Sequence, residues 1–219
     1  MSVRQHTNGS EAGADNAKRR QILDGARQVF LASGFDGASM GAIARAAGVS
    51  KGTLYVYFDS KEALFEALTV SERGGLAEVL FRLDAHDPDV TGVLTRVGMS
   101  LLDMMIRPEH ISSVRMVIGA TDKFPRFGRA FYEAGPRYGA ERLRTYLDGQ
   151  VQDGRLTIPD TGLAAEQFLN LCSAGILKRL LFGVEEALDP AALRANVDAA
   201  VAVFLAAYES SRRAAVTRA

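Results

Sequence analysis

Side chains that can donate hydrogen bonds to anionic oxygen are concentrated in the stretch SMGAIARAAGVSKGTLYVYFDSK, which runs from Ser39 to Lys61. Hydroxyls, phenols and lysines at helical spacing suit contacts with phosphate oxygens and the polar edges of bases. Ser39 and Ser50 each stand where a helix N-cap is expected. Gly48 lies between them, where the end of a helix needs a left-handed residue. The stretch therefore predicts two short helices joined by a tight turn, a helix-turn-helix.

The second of these helices, expected over residues 51–58, has an inner and an outer side. At 100° per residue, Leu54 and Phe58 fall together and are the expected core anchors. The outer side combines small or branched residues with a phenol on each flank: Gly52, Thr53, Val56, Tyr55 and Tyr57. Such a face fits the DNA major groove, although periodicity alone equally allows an ordinary helical hairpin with half-buried tyrosines.

Each residue of the outer side has an expected role in that groove. Thr53 offers a hydroxyl and a methyl group to base edges, and Val56 can meet a thymine methyl. Tyr55 and Tyr57 can reach phosphate oxygens, which position a helix without reading sequence. Lys61, at the start of the next predicted helix, adds a positive charge and a helix N-terminus, and both favour phosphate.

The segment ARAAGVSKGTLYVYFDSKEAL, Ala44 to Leu64, resembles the DNA-binding signature of TetR/AcrR-type transcriptional regulators. The resemblance implies DNA contacts for Thr53, Tyr55, Tyr57 and Lys61, with Tyr57 replacing the histidine of other members. Gly41 stands where some members carry a base-reading arginine, a contact that glycine cannot make. The full set of expected DNA-binding residues is Ser39, Ser50, Lys51, Gly52, Thr53, Tyr55, Val56, Tyr57 and Lys61.

Composition limits the remaining classes of function. The 219 residues are 47% apolar and 24% charged with a net charge of zero, which indicates a globular protein and argues against sequence-blind coating of nucleic acid. The single cysteine, Cys172, excludes an intramolecular disulfide and any metal site built from cysteines. The longest apolar run, residues 199–208, is too short to span a membrane, so we expect a cytoplasmic protein.

The enzyme classes receive little support from the motifs of the chain. Its three histidines, His6, His86 and His110, are far apart in sequence, and the hydrolase, metalloprotease and nucleotide-binding patterns are absent from the sequence. We expect no catalytic residue, no metal and no cofactor. A site assembled in three dimensions remains the alternative, because spacing along the chain does not exclude it.

The chain in order predicts an all-α protein, since period-two alternation is missing throughout. We expect a disordered tail over residues 1–14, a three-helix head over 15–60, a helical body over 61–211 and a tail over 212–219. Asp15 or Asn16 is the expected cap of the first helix, and Gly34 its end. In the body, one helix is expected over residues 161–182, another over 190–211, and a helix disturbed at Gly135-Pro136 over 126–151.

The body is expected to serve dimerisation and ligand binding. One recognition helix reads few base pairs, so a palindromic operator on double-stranded DNA and a homodimer are expected. The expected dimer residues are apolar positions of the last two helices: Leu163, Leu171, Ile176, Leu180, Val197, Val201, Phe204 and Leu205. Packing within one chain is the alternative. The expected pocket for a small apolar effector is rich in methionine and aromatic residues: Met99, Met104, Met105, Met116, Phe124, Phe127, Phe131, Tyr132 and Phe168.

Residues 124–136, Gly154-Arg155-Leu156 and residues 164–168 are similar to the body of AefR-like members of the same family. The resemblance implies small-molecule binding between the middle helices and dimerisation through the last helical pair. Together with the head it predicts a dimeric repressor that a ligand releases from its operator. A constitutive DNA-binding or architectural protein without an effector is the alternative.

Overall fold

The computed structural model describes residues 8–68, 70, 83–184 and 188–210. Its helices, in chain order, are α1 Asn8–Gly37, α2 Met40–Ala46, α3 Lys51–Tyr57, α4 over residues 61–68, α5 Val90–Met105, α6 Pro108–Thr121, α7 Pro125–Tyr132, α8 Tyr138–Gln152, α9 Thr161–Cys172, α10 Ile176–Leu181 and α11 Pro190–Tyr208. Among the described residues the only β pairing is an isolated bridge between Leu156 and Glu209. The predicted all-α fold is confirmed.

The chain divides into two compact units. The head unit comprises Met1–Glu72 and Met116–Phe131, and the body unit comprises Arg73–Arg115 and Tyr132–Ala219. The head unit is therefore larger than the predicted segment 15–60, because residues 116–131 supply part of its core. The boundary falls inside α6 and again at the end of α7.

Helix α1 begins at Asn8, so residues 8–14 are helical where a disordered tail was expected. Asp15 consequently lies inside the helix and is not its cap. At the other end, Gly34 has φ of 67° and ψ of 176°, which interrupts the helix where the sequence predicted its end. The chain then needs only a short turn to reach Ser39.

The core of the head unit joins α1 to α2, α3 and α4 through apolar side chains. The buried members are Ile22, Leu23, Ala26, Phe30, Phe35, Ile43, Leu54, Phe58, Leu64 and Phe65. Phe127 of α7 is also fully buried in this core, with its ring centroid 5.1 Å from that of Phe35 and 4.6 Å from that of Phe65. These contacts explain why residues 116–131 belong to the same unit as the helix-turn-helix.

The body unit is organised around α5, α8, α9 and α11, which share one apolar core. At Gly98 of α5 an added Cβ would lie 2.8 Å from Val197 and 2.9 Å from the sulfur of Cys172, so glycine permits this close crossing. Burial raises the pKa of the Cys172 thiol to about 12. Cys172 is therefore a neutral core residue.

Two helices of the body depart from regular geometry. The predicted disturbance at Gly135-Pro136 is a π-helical turn, Glu133–Arg137, between α7 and α8. The single helix expected over residues 161–182 is instead two helices, because Gly175 adopts a φ of +75° between α9 and α10. The prediction of one continuous helix there is wrong.

Helix α11 has 19 residues and is apolar enough, by length and composition, to cross a membrane. One such helix is weak support for a membrane span, because core helices pass the same test. Here Leu193, Val197, Val201 and Phe204 pack into the core of the body unit. The helix thus has one face committed to the interior of its own chain.

Candidate nucleic-acid interface

Two serine caps and one glycine shape the turn between α2 and α3. The Ser39 hydroxyl accepts a hydrogen bond from the Ala42 amide at 3.2 Å, and the Ser50 hydroxyl accepts one from the Thr53 amide at 2.9 Å. Gly48 between the helices has a φ of +64°, a conformation that costs glycine little. Each residue therefore has the structural role that its type predicted.

Helix α1 holds this motif by an unusually close approach. An added Cβ at Gly25 would lie 2.5 Å from the backbone nitrogen of Ala47, so any larger residue would push α1 away from α2. The Gln21 side chain donates a hydrogen bond to the Ala47 carbonyl at 2.6 Å, which satisfies an acceptor at the end of α2. The position of α2, and hence of the turn, depends on α1.

Helix α3 buries one side and exposes the other. Leu54 is completely buried, whereas Val56 is 82% exposed and Tyr55 is 50% exposed. Lys51 and Gly52 are also exposed, and Thr53 is partly so. Val56 and Tyr55 therefore form an accessible face of α3 on the side opposite its buried Leu54.

The hydroxyl of Thr53 has a neighbour within α3. Its Oγ1 lies 2.8 Å from the Ser50 hydroxyl, and either group can be the donor. Ser50 thus bonds both the amide and the side chain of Thr53, which restricts the Thr53 rotamer. A fixed side chain at this place is suited to reading a base edge, because less entropy is lost on binding.

The last two residues of the predicted contact set, Tyr57 and Lys61, already have partners within the head unit. Tyr57 donates its phenol proton to Oδ1 of Asp15 at 2.7 Å. Lys61 donates to the Phe35 carbonyl at 2.8 Å, and its ammonium lies 4.4 Å from the centroid of the Phe35 ring. Neither contact was expected from sequence, where both groups were assigned to phosphate.

Lys51 covers the gap at Gly41. An added Cβ on Gly41 would lie 3.1 Å from Cε and 3.4 Å from Nζ of Lys51, and 3.9 Å from a guanidinium nitrogen of Arg45. The ammonium of Lys51 therefore lies over α2, although the residue belongs to α3. The sequence predicted that Gly41 cannot contact a base, but it did not predict the ammonium of Lys51 beside it.

These side chains supply hydrogen-bond donors, methyl groups and positive charge, which suit binding to nucleic acid. In the described part of the chain, no three histidine, cysteine or acidic residues cluster as a metal site would require. The geometry of α3 accordingly supports recognition of DNA.

The nine predicted pocket residues belong to different cores. Met99, Met104, Met105 and Phe168 are part of the body core, whereas the rest of the apolar set contributes to the head core: Met116, Phe124, Phe127 and Phe131. Tyr132 is 52% exposed and lines a surface cleft of about 410 Å³ with charged neighbours such as Arg137 and Glu141. The predicted pocket set, chosen for its methionine and aromatic residues, thus includes residues from the interiors of both units.

The predicted dimer residues are largely interior. Five of them, on α10 and α11, are buried in the body core: Ile176, Leu180, Val197, Val201 and Phe204. Leu171 and Leu205 are partly buried, and Leu163 is 52% exposed. These five side chains pack within their own chain, so the strongly exposed member of the predicted interface is Leu163, and the interface stays a prediction.

Two family models match the chain in agreement with this architecture. Residues 22–68 match the bacterial regulatory proteins of the tetR family, and residues 92–210 match the C-terminal domain of AefR-like transcriptional repressors. The first match covers the helix-turn-helix and the second covers more than half of the chain. A helix-turn-helix regulator is thus defined by the fold, and the chain belongs to the TetR family of transcriptional repressors.

Two relatives that match over most of their length are also transcriptional repressors. The transcriptional repressor Rv1474c of Mycobacterium tuberculosis is 31% identical over 188 residues, covering 83% of this chain and 90% of the relative. AcnR, a transcriptional repressor of Corynebacterium glutamicum, is 39% identical over 165 residues, or 75% and 82% of the two chains.

Solved structures share the fold. A TetR-family regulator of Mesorhizobium loti has a TM-score of 0.83 and 27% identity, covering 89% of this chain and 98% of its own. The flavonoid-responsive regulator FrrA has a TM-score of 0.75 and 34% identity over the same shares. TetR-family regulators bind DNA operators and typically act as dimers.

Proposed function

We propose that this protein is a cytoplasmic, dimeric repressor whose α3 enters the major groove of a palindromic operator and which a small, mainly apolar ligand releases. The observation that carries the DNA-reading part is the exposed face of Thr53, Tyr55 and Val56 opposite the fully buried Leu54. Thr53 and Val56 contact bases, whereas the flanking residues contact phosphates: Ser39, Ser50, Lys51, Gly52, Tyr55, Tyr57 and Lys61. Because phosphate contacts position and base contacts specify, these two groups have separable effects.

The dimer surface lies on the outer faces of α9 and α11. Helix α11 exposes alanines at intervals of four, three and four residues: Ala195, Ala199, Ala202 and Ala206. Helix α9 and the turn after it expose a second stripe with the same intervals: Leu163, Gln167, Asn170 and Ala174. Small residues at helical spacing let helices of two chains approach closely. Leu163 is the one member of the predicted interface that is strongly exposed, and it lies on this surface.

The ligand site proposed here is confined to the body core around α5 and α9, where Met99, Met104, Met105 and Phe168 share one apolar cluster. Methionine adapts to ligands of several shapes. The name of FrrA, which is flavonoid-responsive, supports a flat and largely apolar ligand. Binding would act by favouring a conformation whose heads no longer match the spacing of the half-sites.

A constitutive DNA-binding protein is the second candidate. It is favoured by one observation, which is that Met104 and Phe168 are buried in the body core of the free chain. Ligand entry would then have to open that core, at a cost in packing.

Selection from a library of random duplexes tests the proposal. We expect one enriched inverted repeat with half-sites about 10–10.5 base pairs apart or a multiple of that distance, and two chains on each duplex. Enrichment without a shared sequence would contradict specific recognition. A screen of flavonoids and other apolar compounds against the bound duplex then separates the two candidates, since only the ligand-released repressor dissociates.

A further inference from the structure

A carboxylate lies beside the DNA-reading helix, held by the last residue of that helix. Tyr57, at the end of α3, donates its phenol proton to Asp15 of α1 at 2.7 Å across 42 residues of sequence. Asp15 is exposed and Tyr57 partly exposed. The hydrogen bond raises the pKa of Tyr57, with burial and the charge of Asp15 contributing in the same direction. In the free protein the phenol thus donates its hydrogen bond to Asp15.

A phenol has one proton, so it cannot donate to Asp15 and to a DNA phosphate at the same time. A carboxylate oxygen and a phosphate oxygen are both anionic acceptors of charge-assisted hydrogen bonds. Binding of DNA through Tyr57 consequently requires the hydroxyl to leave Asp15. The released carboxylate would then lie near the phosphate that replaced it, and two negative charges at short distance repel.

The surroundings of Asp15 leave its negative charge available to repel a DNA phosphate. Among the described residues, Asp15 forms no ion pair with a cation. Arg19, one turn further along α1, lies over the Phe58 ring at 5.3 Å from its centroid. The charge of Asp15 is thus not neutralised by a salt bridge within the described chain.

We propose that Asp15 limits the DNA affinity of the head unit: it competes with DNA phosphate for the Tyr57 hydroxyl and so weakens binding to every duplex. This inference rests on the proposed function, because it takes α3 as the DNA-reading helix. Weak, phosphate-driven binding to random DNA is thereby kept low. An operator tolerates the same penalty, since its base contacts add affinity that random DNA lacks.

The test measures binding of a random-sequence 25-base-pair duplex between 50 and 300 mM NaCl. Asp15→Asn and Asp15→Ala should each bind roughly two- to fivefold more tightly than wild type at low salt, with the gain shrinking as salt screens the charge. In a Tyr57→Phe background the gain should be smaller, because no hydroxyl remains for which the carboxylate can compete.

Asp24→Asn is the matched control, because Asp24 lies on the same helix and pairs with Arg27 at 3.1 Å. An equal gain in that variant would assign the effect to net charge and overturn the inference. Unchanged or weaker binding by both Asp15 variants, with the thermal midpoint of wild type, would also overturn it.

Titration of carbon-13-labelled tyrosine without DNA separates this inference from the proposed function. Loss of Asp15 should lower the pKa of Tyr57 toward the ordinary value, and an unchanged pKa would show that the contact is absent. If the pKa falls but wild type binds no duplex at low salt, the contact stands while both DNA-related proposals fail. If wild type binds and the Asp15 variants bind equally well, the inference alone fails.

Discussion

Lys61 donates a hydrogen bond to the Phe35 carbonyl at 2.8 Å while its ammonium lies 4.4 Å from the centroid of the Phe35 ring. This pair ties the start of α4 to the end of α1, just after Gly34. Phe35 also contacts Phe65 and Phe127, so the cation is attached to the aromatic centre of the head unit. A residue assigned to phosphate by its motif therefore has a structural role as well.

Two Lys61 variants separate those roles. Lys61→Ala should lower the free energy of unfolding by about 1–2 kcal/mol, because the hydrogen bond and the ring contact are both lost. Lys61→Gln keeps a donor for the carbonyl and should lose less. If the remaining ammonium protons bind phosphate, both variants reduce the slope of log affinity against log salt by about one. A slope that is unchanged in both variants removes Lys61 from the phosphate contacts.

Two Ser50 variants separate the role of this residue as a helix cap from the effect of charge at the turn. Ser50→Ala should destabilise the protein by about 1 kcal/mol, since the Thr53 amide loses its acceptor. Ser50→Asp keeps an N-cap acceptor and should restore stability, but it places a negative charge at the DNA-facing turn. Chemical denaturation and duplex binding measured together should show weakened binding with normal stability in Ser50→Asp. Wild-type affinity in that variant would place Ser50 away from the phosphates.

Gly41→Ala should change DNA binding without harming the fold. Alanine in a helix is favoured over glycine by about 0.5–1 kcal/mol, and its Cβ would meet only the flexible end of Lys51. The displaced ammonium would move off α2, so affinity for the selected operator should fall while the thermal midpoint rises or holds. Equal affinity in the variant would show that the position of Lys51 over α2 has no part in binding.

Gly98 in the body unit and Gly119 in the head unit give a stability test and its control. Gly98→Ala should cost about 1–3 kcal/mol, because the new methyl meets Val197 and Cys172 where α5 crosses α11 and α9. Gly119→Ala, at an exposed site on α6 with nothing within 4 Å, should instead stabilise the protein. Urea denaturation measures both changes. Equal effects of the two substitutions would contradict the close crossing at Gly98.

The head was largely predictable because its signals are local. Caps at Ser39 and Ser50, the left-handed Gly48 and the inward Leu54 follow from residue type and spacing within 20 residues. The contacts of Tyr57 and Lys61 were not predictable, since their partners lie 42 and 26 residues away. Asp15 carried only a weak signal as a possible helix cap.

The body was less predictable because apolar periodicity does not say which partner an apolar face meets. Val197 and Phe204 were expected in a dimer interface, with the interior as the alternative, and the structure buries both within the chain. Phe127 looked like part of a ligand pocket but completes the core of the head unit. Such assignments depend on which helices become neighbours, and sequence spacing carries no information on that choice.

The central claim is that the exposed face of α3 reads bases, and a comparison of selected sequences tests it most directly. Val56 and Thr53 are changed together to alanine, and selection from random duplexes is repeated beside wild type. We expect the enriched half-site to change at one or a few base pairs while the spacing between half-sites stays the same. Identical half-sites for the two proteins, both fully folded, would contradict it.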